Sequence, residues 1–139
     1  MTFEQSLVAE LGTILEITAF VGTRIYESAL PQKSSLPAIV YHVTNEDHAV
    51  HLTGRSTTRA ENIVLDLIAL DKVTCRQMLD PIHRHFFKNT FQGVLGGGVY
   101  VAETILGEVD YDVFRLSDGT DRPVRVASVT FSMRYSRAS

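Results

Sequence analysis

Apolar residues recur every three or four positions along the first part of the chain. The stripe consists of Phe3, Leu7, Leu11, Ile14, Leu15 and the partly apolar Thr18. This spacing predicts one amphipathic helix. Thr2 is its predicted N-cap, and Glu4 suits the positive end of the helix dipole. Gly22, just beyond the last stripe position, predicts the end of the helix.

Strand-like runs follow this helix. Three of them, rich in β-branched and aromatic residues, are predicted as strands over residues 24–26, 38–43 and 57–69. The stretch 30–37, with two prolines, and the stretch around 48–56, with a glycine, are predicted loops. Within the third strand, residues 63–68 are almost continuously apolar. That run predicts burial of both faces of the strand at this point.

A second apolar stripe with the helical period comes next. Its positions are Cys75, Met78, Leu79, Ile82, Phe86 and Phe87. Asp71 is the predicted N-cap. Pro81 interrupts the pattern, and a proline in a helix interior costs about 3 kcal/mol. Either the helix kinks at Pro81, or Asp80 caps a new helix with Pro81 in its first position. The kink is favoured, because the stripe stays in phase across Pro81.

Glycines and alternating residues divide the remainder of the chain. Gly93 and the glycines at 96–98 predict a flexible turn, followed by a strand over 99–106, a polar loop over 112–123 and a long strand over 124–135. In that last strand, Val129, Phe131 and Met133 share one face. The element order α-β-β-β-α-β-β predicts a single α+β domain over residues 1–139, with a mostly antiparallel sheet packed against two helices.

The predicted core lies mainly on the two helical stripes, because one face of the sheet has to be covered. Its helical members are Phe3, Leu7, Leu11, Ile14, Cys75, Met78, Ile82 and Phe86.

Composition and charge exclude several classes of protein. The 139 residues are 45% hydrophobic with a formal net charge of −3, which excludes a disordered tail and argues against duplex DNA binding. The single cysteine excludes an internal disulfide. No apolar run approaches the roughly 20 residues of a membrane span, and the first residues lack the basic region of a signal peptide. We therefore expect a soluble, cytosolic domain with no membrane partner.

The histidines and the cysteine are the residues that could carry chemistry. His48 and His51, with carboxylates nearby, have the ligand types of a zinc site but no established ligand spacing, so solvent-exposed loop histidines are the favoured interpretation. His83 and His85 are two residues apart on a helix and are poor co-ligands. Cys75 lies on an apolar stripe, which favours packing over catalysis. We therefore expect no catalytic residue, no cofactor and no metal.

Three segments nevertheless form a recognisable set: VGTRIY at 21–26, LPQ at 30–32 and LPAIVY at 36–41. This set resembles the opening of a family of phage tail-completion proteins. Later parts of the chain continue the resemblance: 52–54, 61–69, 71–89, 98–106, 117–119 and 124–135. Pro81 and the HRH triplet at 83–85 depart from the family pattern, which puts only the local shape of the second helix in doubt.

The resemblance implies a structural virion protein similar to the tail terminators of long-tailed phages. Such proteins form a homo-oligomeric ring, commonly of six subunits, at the head-proximal end of the tail, where they end polymerisation of the tail tube and offer a surface for head–tail joining. The implied partners are the tail-tube protein and a head-completion or connector protein. DNA passes through the channel without sequence-specific binding, which suits a mildly acidic chain. The implied location is the virion, at the head–tail junction, after assembly in the bacterial cytoplasm.

Two alternatives remain open at this point. One is a head-side connector or stopper ring protein, and the other is a small bacterial α+β ligand-binding or enzymatic domain.

Two predicted loops, at 46–56 and 112–123, are the candidate assembly interfaces. Both are longer than a tight hairpin needs, and such loops are often functional. Their charged and titratable residues are Asp47, His48, His51, Arg55, Asp118, Asp121 and Arg122. We expect these loops to be mobile in the isolated chain and to become ordered against ring neighbours or the tail tube.

Overall fold

The computed structural model describes residues 2–31, 35–45, 59–88, 91–115 and 123–136. Its elements are α1 (Phe3–Thr13), α2 (Leu15–Val21), β1 (Ile25–Glu27), β2 (Ala38–Asn45), β3 (Arg59–Ala69), α3 (Lys72–His83), a π-helical turn (Arg84–Lys88), β4 (Gly93–Val94), β5 (Tyr100–Arg115) and β6 (Pro123–Ser136). The predicted α+β class with a mostly antiparallel sheet is confirmed. The element order differs, because the first helix is divided and the short strand β4 is added.

The first helix begins as predicted but breaks in its middle. Thr2 forms a capping box with Gln5, its hydroxyl accepting from the Gln5 amide at 3.1 Å. At Ile14 the backbone is extended, with φ −82° and ψ 97°, so the prediction of one continuous helix is wrong. The hydroxyl of Thr13 donates to the carbonyl of Glu10 at 2.6 Å, a local bond that competes with helical pairing.

The break changes which residues face the core. Leu15, predicted on the buried stripe, is 80% exposed, whereas Ile17 is fully buried. Because Ile14 is extended, the residues after it lie at a different angle from the one that a continuous helix would give them.

The six strands form one sheet in the order β1-β2-β3-β6-β5-β4. β1 is parallel to β2, and the other pairs are antiparallel. The long pair β3–β6 occupies the middle, from Arg59 opposite Tyr135 to Ala69 opposite Arg125. The sheet thus has a short strand at each edge and long strands between.

The three helices cover one face of this sheet and bury the core against it. All eight helical core residues of the prediction are buried, as are Ile63, Leu65 and Leu67 of β3. Burial of both faces was predicted for residues 63–68, but Val64 and Asp66 are only half-buried. That prediction is therefore wrong for the first half of the run, where β3 alternates as a strand with one solvated face does.

A second, smaller cluster lies on the opposite face of the sheet. Val40, Ile68, Val124 and Val126 are buried there beneath Tyr26, Leu30 and Leu36. Residues of the predicted 30–37 loop therefore cover one end of this face.

The helix α3 confirms its predicted N-cap, since the Thr74 amide donates to Oδ1 of Asp71 at 2.7 Å. It continues without interruption through Pro81, so the alternative of a new helix capped by Asp80 is wrong. A π-helical turn follows, and the Arg84 amide reaches the carbonyls of both Asp80 and Pro81. Phe86 remains fully buried at the end of the stripe.

The strand β5 is longer than predicted at its C-terminal end. The prediction ended this strand at 106 and assigned 112–123 to a loop, but β5 runs to Arg115 and β6 begins at Pro123. A register shift between Leu106 and Val109 marks a β-bulge that contains Gly107. A side chain at Gly107 would lie 2.7 Å from the Thr130 carbonyl oxygen, so glycine allows the strand to pass this point and continue.

Candidate assembly surfaces

The predicted interface residues Asp47, His48, His51, Arg55, Asp118, Asp121 and Arg122 lie outside the described residues. The strands on either side of them are described. Residues 46–58 connect β2 to β3 at the end of the sheet where Asn45 pairs with Glu61. Residues 116–122 connect β5 to β6 at the other end, where Arg115 pairs with Pro123.

These two connections therefore leave the sheet at opposite ends. The strand β3 spans the distance between the ends with eleven residues. At roughly 3.3 Å per residue, the ends are about 35 Å apart.

The second edge of β5 is open over most of its length. Its partner β4 pairs only with Tyr100 and Val101. Side chains extend this shielding a little, since Gln92 donates to the Ala102 carbonyl at 3.0 Å and Thr104 donates to the Phe91 carbonyl at 2.9 Å. From Ile105 to Arg115, no strand of the described residues pairs with this edge. Unpaired N–H and C=O groups of this kind are a template for another strand.

One face of β5 carries a row of apolar residues on the helix side of the sheet. Val109 and Tyr111 pair with Val129 and Ala127, both buried under the helices, and directly paired residues point to the same face. We call Leu106, Val109, Tyr111 and Val113 the β5 apolar strip. Leu106, Tyr111 and Val113 are 43%, 45% and 48% exposed. The helix layer thus covers β5 at Val101 and packs against Val109 but leaves the other three residues of the strip partly exposed.

Between the bulge and Asp112, the opposite face of β5 is acidic. Asp110 and Asp112 pair with Ser128 and Val126, whose side chains lie on the face away from the helices. Glu108, at the bulge, is also exposed. We call these three residues the acidic row.

Two cations stand on the helix side, beside the apolar strip. The Lys72 ammonium lies 5.5 Å from the centre of the Tyr111 ring, a cation–π contact. Arg125, paired with Val113, lines the same small cleft.

A serine, an aspartate and a histidine meet on the outer face of the sheet. The Ser128 hydroxyl donates to Oδ1 of Asp66 at 2.6 Å, and Nε2 of His42 lies 3.2 Å from Oδ2 of the same carboxylate. In a serine hydrolase the histidine stands between the other two and removes the proton of the serine. Here the aspartate stands in the middle, so the arrangement stabilises the polar face and does not activate Ser128.

The cysteine is used for packing, as predicted. Cys75 is fully buried, and its Sγ lies 3.3 Å from the Arg125 carbonyl oxygen and 3.5 Å from that of Leu67. Burial raises the pKa of the Cys75 thiol. A thiol held in its protonated form is a poor nucleophile and a poor metal ligand.

A carboxylate that the sequence analysis did not single out joins three elements. Oε2 of Glu10 lies 2.6 Å from Nε2 of His85, and its Oε1 accepts from the Gly96 amide at 2.8 Å. A side chain at Gly96 would lie 2.2 Å from the Ser6 carbonyl oxygen. The glycines were predicted as a flexible turn. The turn is present, but Gly96 is packed closely against α1.

Among the described residues, no group of three or more His, Cys, Asp or Glu side chains is placed to hold a metal ion. None of the helices in the described part of the chain has the length and apolar character needed to cross a bilayer.

Comparison with solved structures identifies a similar fold over nearly the whole chain. A chain from the virion of a native gene transfer agent (GTA) particle superposes with a TM-score of 0.58, at 16% sequence identity and with 96% of each chain covered. At this identity the likeness is one of fold. No protein-family model matches the sequence, and no curated protein matches it.

Proposed function

We propose that this chain is a structural virion protein that forms a ring, of six subunits, at the head-proximal end of a phage tail. In this role it ends polymerisation of the tail tube and presents the surface for head–tail joining. The observation that carries the proposal is the end-to-end match of fold to a chain from a GTA virion, 96% in both directions. The tail-terminator resemblance of the segments at 21–26, 30–32 and 36–41 supports the more specific role.

The position of the two predicted interface loops suits a ring between two different neighbours. A ring at a head–tail junction has one axial face toward the tube and the other toward the head. Connections that leave a sheet at opposite ends, about 35 Å apart by strand length, are able to contact both. We propose that residues 46–58 and 116–122 each serve one axial neighbour, through charged residues such as Asp47, Arg55, Asp118 and Arg122.

Ring formation is tested directly on the purified protein. Sedimentation velocity over a wide concentration range, with negative-stain imaging, is expected to show closed rings of about six subunits. Particles assembled without this protein are expected to show overlong or headless tails. A chain that stays monomeric at high concentration, together with normal tails in its absence, would contradict the proposal.

The two loops are tested separately. Each is replaced by a short glycine-containing turn, and stability of the monomer, ring formation and attachment to tubes are measured for each variant. We expect unchanged stability and loss of a different attachment in each case, so that each variant is the control for the other. The lost attachments should weaken with salt in the parent, because the loops offer charge rather than apolar area. Intact assembly after shortening both loops would show that they are not interfaces.

A further inference from the structure

We propose that the open edge of β5, from Ile105 to Arg115, binds an extended segment of a partner protein as an added strand, and that this segment alternates apolar and basic residues. This surface lies outside the two predicted interface loops, and binding there does not depend on which neighbours the loops contact.

The backbone of β5 supplies the first argument. Eleven consecutive residues of this edge have no strand beside them among the described residues, whereas β4 shields only the beginning of β5. Proteins usually protect such an edge with lysines, prolines or a covering loop. Here the described residues provide the bulge at Gly107 and the charges of the acidic row, but the backbone beyond Val109 keeps a regular register with β6 as far as Arg115. The Val113 amide in this stretch already donates to Oδ1 of Asp112 at 2.8 Å, and an added strand would have to replace this bond where it pairs with the remaining open backbone.

The two faces of β5 determine the chemistry of the segment. On the helix side, an added strand would lie beside the apolar strip, which is 43–48% exposed at Leu106, Tyr111 and Val113. On the other side, it would lie beside the acidic row. Since side chains of a strand alternate between faces, the complementary segment has apolar residues at every second position and lysine or arginine between them.

The charges on the helix side determine which face of the added strand carries its apolar residues. Lys72 stands over Tyr111, and Arg125 lines the cleft beside Val113. A segment shifted by one residue would place its basic side chains next to these cations and its apolar side chains next to the acidic row. Both changes are unfavourable, so the face assignment is specific.

Strands of a second copy of this chain fit the edge less well. The other edge strands, β1 and β4, have three and two residues, too few to cover eleven. Antiparallel pairing of two β5 edges would bring two acidic rows together, and like charges on adjacent strands are destabilising. The charge pattern therefore favours a different, basic partner segment.

The probe for this proposal is an eleven-residue synthetic peptide that alternates valine and lysine. Two controls accompany it: a peptide of the same composition with the lysines grouped at one end, and an alternating valine–glutamate peptide. Binding is measured by fluorescence anisotropy, and the site is located by hydrogen exchange. We expect only the alternating lysine peptide to slow exchange of backbone amides between Ile105 and Arg115.

Charge reversal at one exposed residue provides the matched protein variants. Asp110→Lys is expected to weaken binding of the alternating peptide at least tenfold. Asp80→Lys makes the same change of net charge on α3 and is expected to leave binding within about twofold. Circular dichroism and unfolding of both variants check that the fold is retained. If Asp110→Lys fails to fold, Asp112→Asn removes one acidic charge with little change of shape and is expected to weaken binding severalfold.

Three results would overturn the proposal. Equal binding of the alternating and grouped lysine peptides would show attraction by net charge alone. Binding without protection of the β5 amides would place the peptide elsewhere. Protection of these amides that increases with protein concentration, in the absence of peptide, would show that a second copy occupies the edge. Failure of ring formation has no bearing on these outcomes, and the two proposals fail separately.

Discussion

On the side of the sheet that faces the helices, the middle of the sheet at β6 and its outer part at β5 differ in what covers them. In the middle, Phe131 of β6 is buried and stacks on Phe86 of the π-helical turn, with ring centres 5.6 Å apart. On β5, Tyr111 points to the same side but is 45% exposed, with only Lys72 over its ring. Both strands alternate in the same way along the sequence. Alternation thus shows which residues share a face, and the extent of the helix layer decides which of them enter the core.

This difference separates residues needed for folding from residues available for binding. Removing apolar area from water contributes about 25 cal/mol per Å², and the middle of the face gains this on folding. The exposed apolar strip gains much less, so its apolar character has to be explained by something other than the stability of the monomer. A contiguous exposed apolar row next to an open strand edge is typical of an interaction site.

The largest expected effect compares the same substitution in both regions. Leu11→Ala removes a fully buried side chain and is expected to destabilise the protein by about 2–5 kcal/mol. Leu106→Ala removes a side chain that is 43% exposed and is expected to cost less than about 1 kcal/mol. Urea unfolding of both variants measures the difference. Equal losses of unfolding free energy in the two variants would mean that the apolar strip is part of the core.

The next effect concerns the close contact between the glycine turn and α1. Gly96→Ala places Cβ 2.2 Å from the Ser6 carbonyl oxygen, and the backbone has to shift, at an expected cost of about 1–3 kcal/mol from overpacking. Gly97→Ala is the matched control. Gly97 also has a positive φ, of +76°, but nothing lies within 4 Å of its Cβ position. The difference between the two melting temperatures isolates the packing contact from the backbone conformation, and similar melting temperatures would exclude a packed role for Gly96.

The sequence was sufficient to predict the helical stripes, the sheet and its class, because these depend on local periodicity and capping. The buried positions from Phe3 to Ile14 and from Cys75 to Phe86 follow from it directly. The break at Ile14 could not be predicted in this way, because it depends on a single extended residue inside an otherwise helical pattern.

The candidate surfaces were harder to predict. The polar stretch 112–123 was predicted as a loop, but β5 passes the bulge at Gly107 and continues as a strand as far as Arg115. That no strand of the described residues lies beside β5 from Ile105 to Arg115 follows from the shortness of its neighbour β4, which no local pattern in β5 determines. The residues of the predicted loop interfaces lie outside the described part of the chain, and their assignment stays a prediction.

A smaller effect is expected at the start of α3, where the helix layer begins next to the apolar strip. The amide of Thr74 donates to Asp71 and holds the pKa of its carboxyl below the usual value. A carboxyl whose pKa is lower in the folded state stabilises the fold above its unfolded pKa, and this contribution is lost as the pH falls through the folded pKa. Asp71→Ala should therefore lower the urea midpoint at neutral pH more than in acid. Asp71→Asn, which retains a capping oxygen, should lower it less than Asp71→Ala. Equal effects of Asp71→Ala at both pH values would contradict the role of the ionised Asp71 carboxylate as the N-cap of α3.

The smallest effect is expected for the ion pair on the outer face of β5 and β6. Glu103 and Arg134 are 3.5 Å apart, and both side chains are about half exposed. Exposed pairs contribute about 0.2–1 kcal/mol and are screened by salt, so Glu103→Gln should change stability within this range, and less at high salt. The matched substitution in the covered region is Glu10→Gln, at a side chain that is only 12% exposed and contacts both His85 and the Gly96 amide. We expect Glu10→Gln to cost more and to depend less on salt, because a carboxylate shielded from water is screened less than an exposed one. A larger loss of unfolding free energy from Glu103→Gln than from Glu10→Gln would contradict this prediction. It would show that β5 stabilises the monomer as much as the middle of the sheet does.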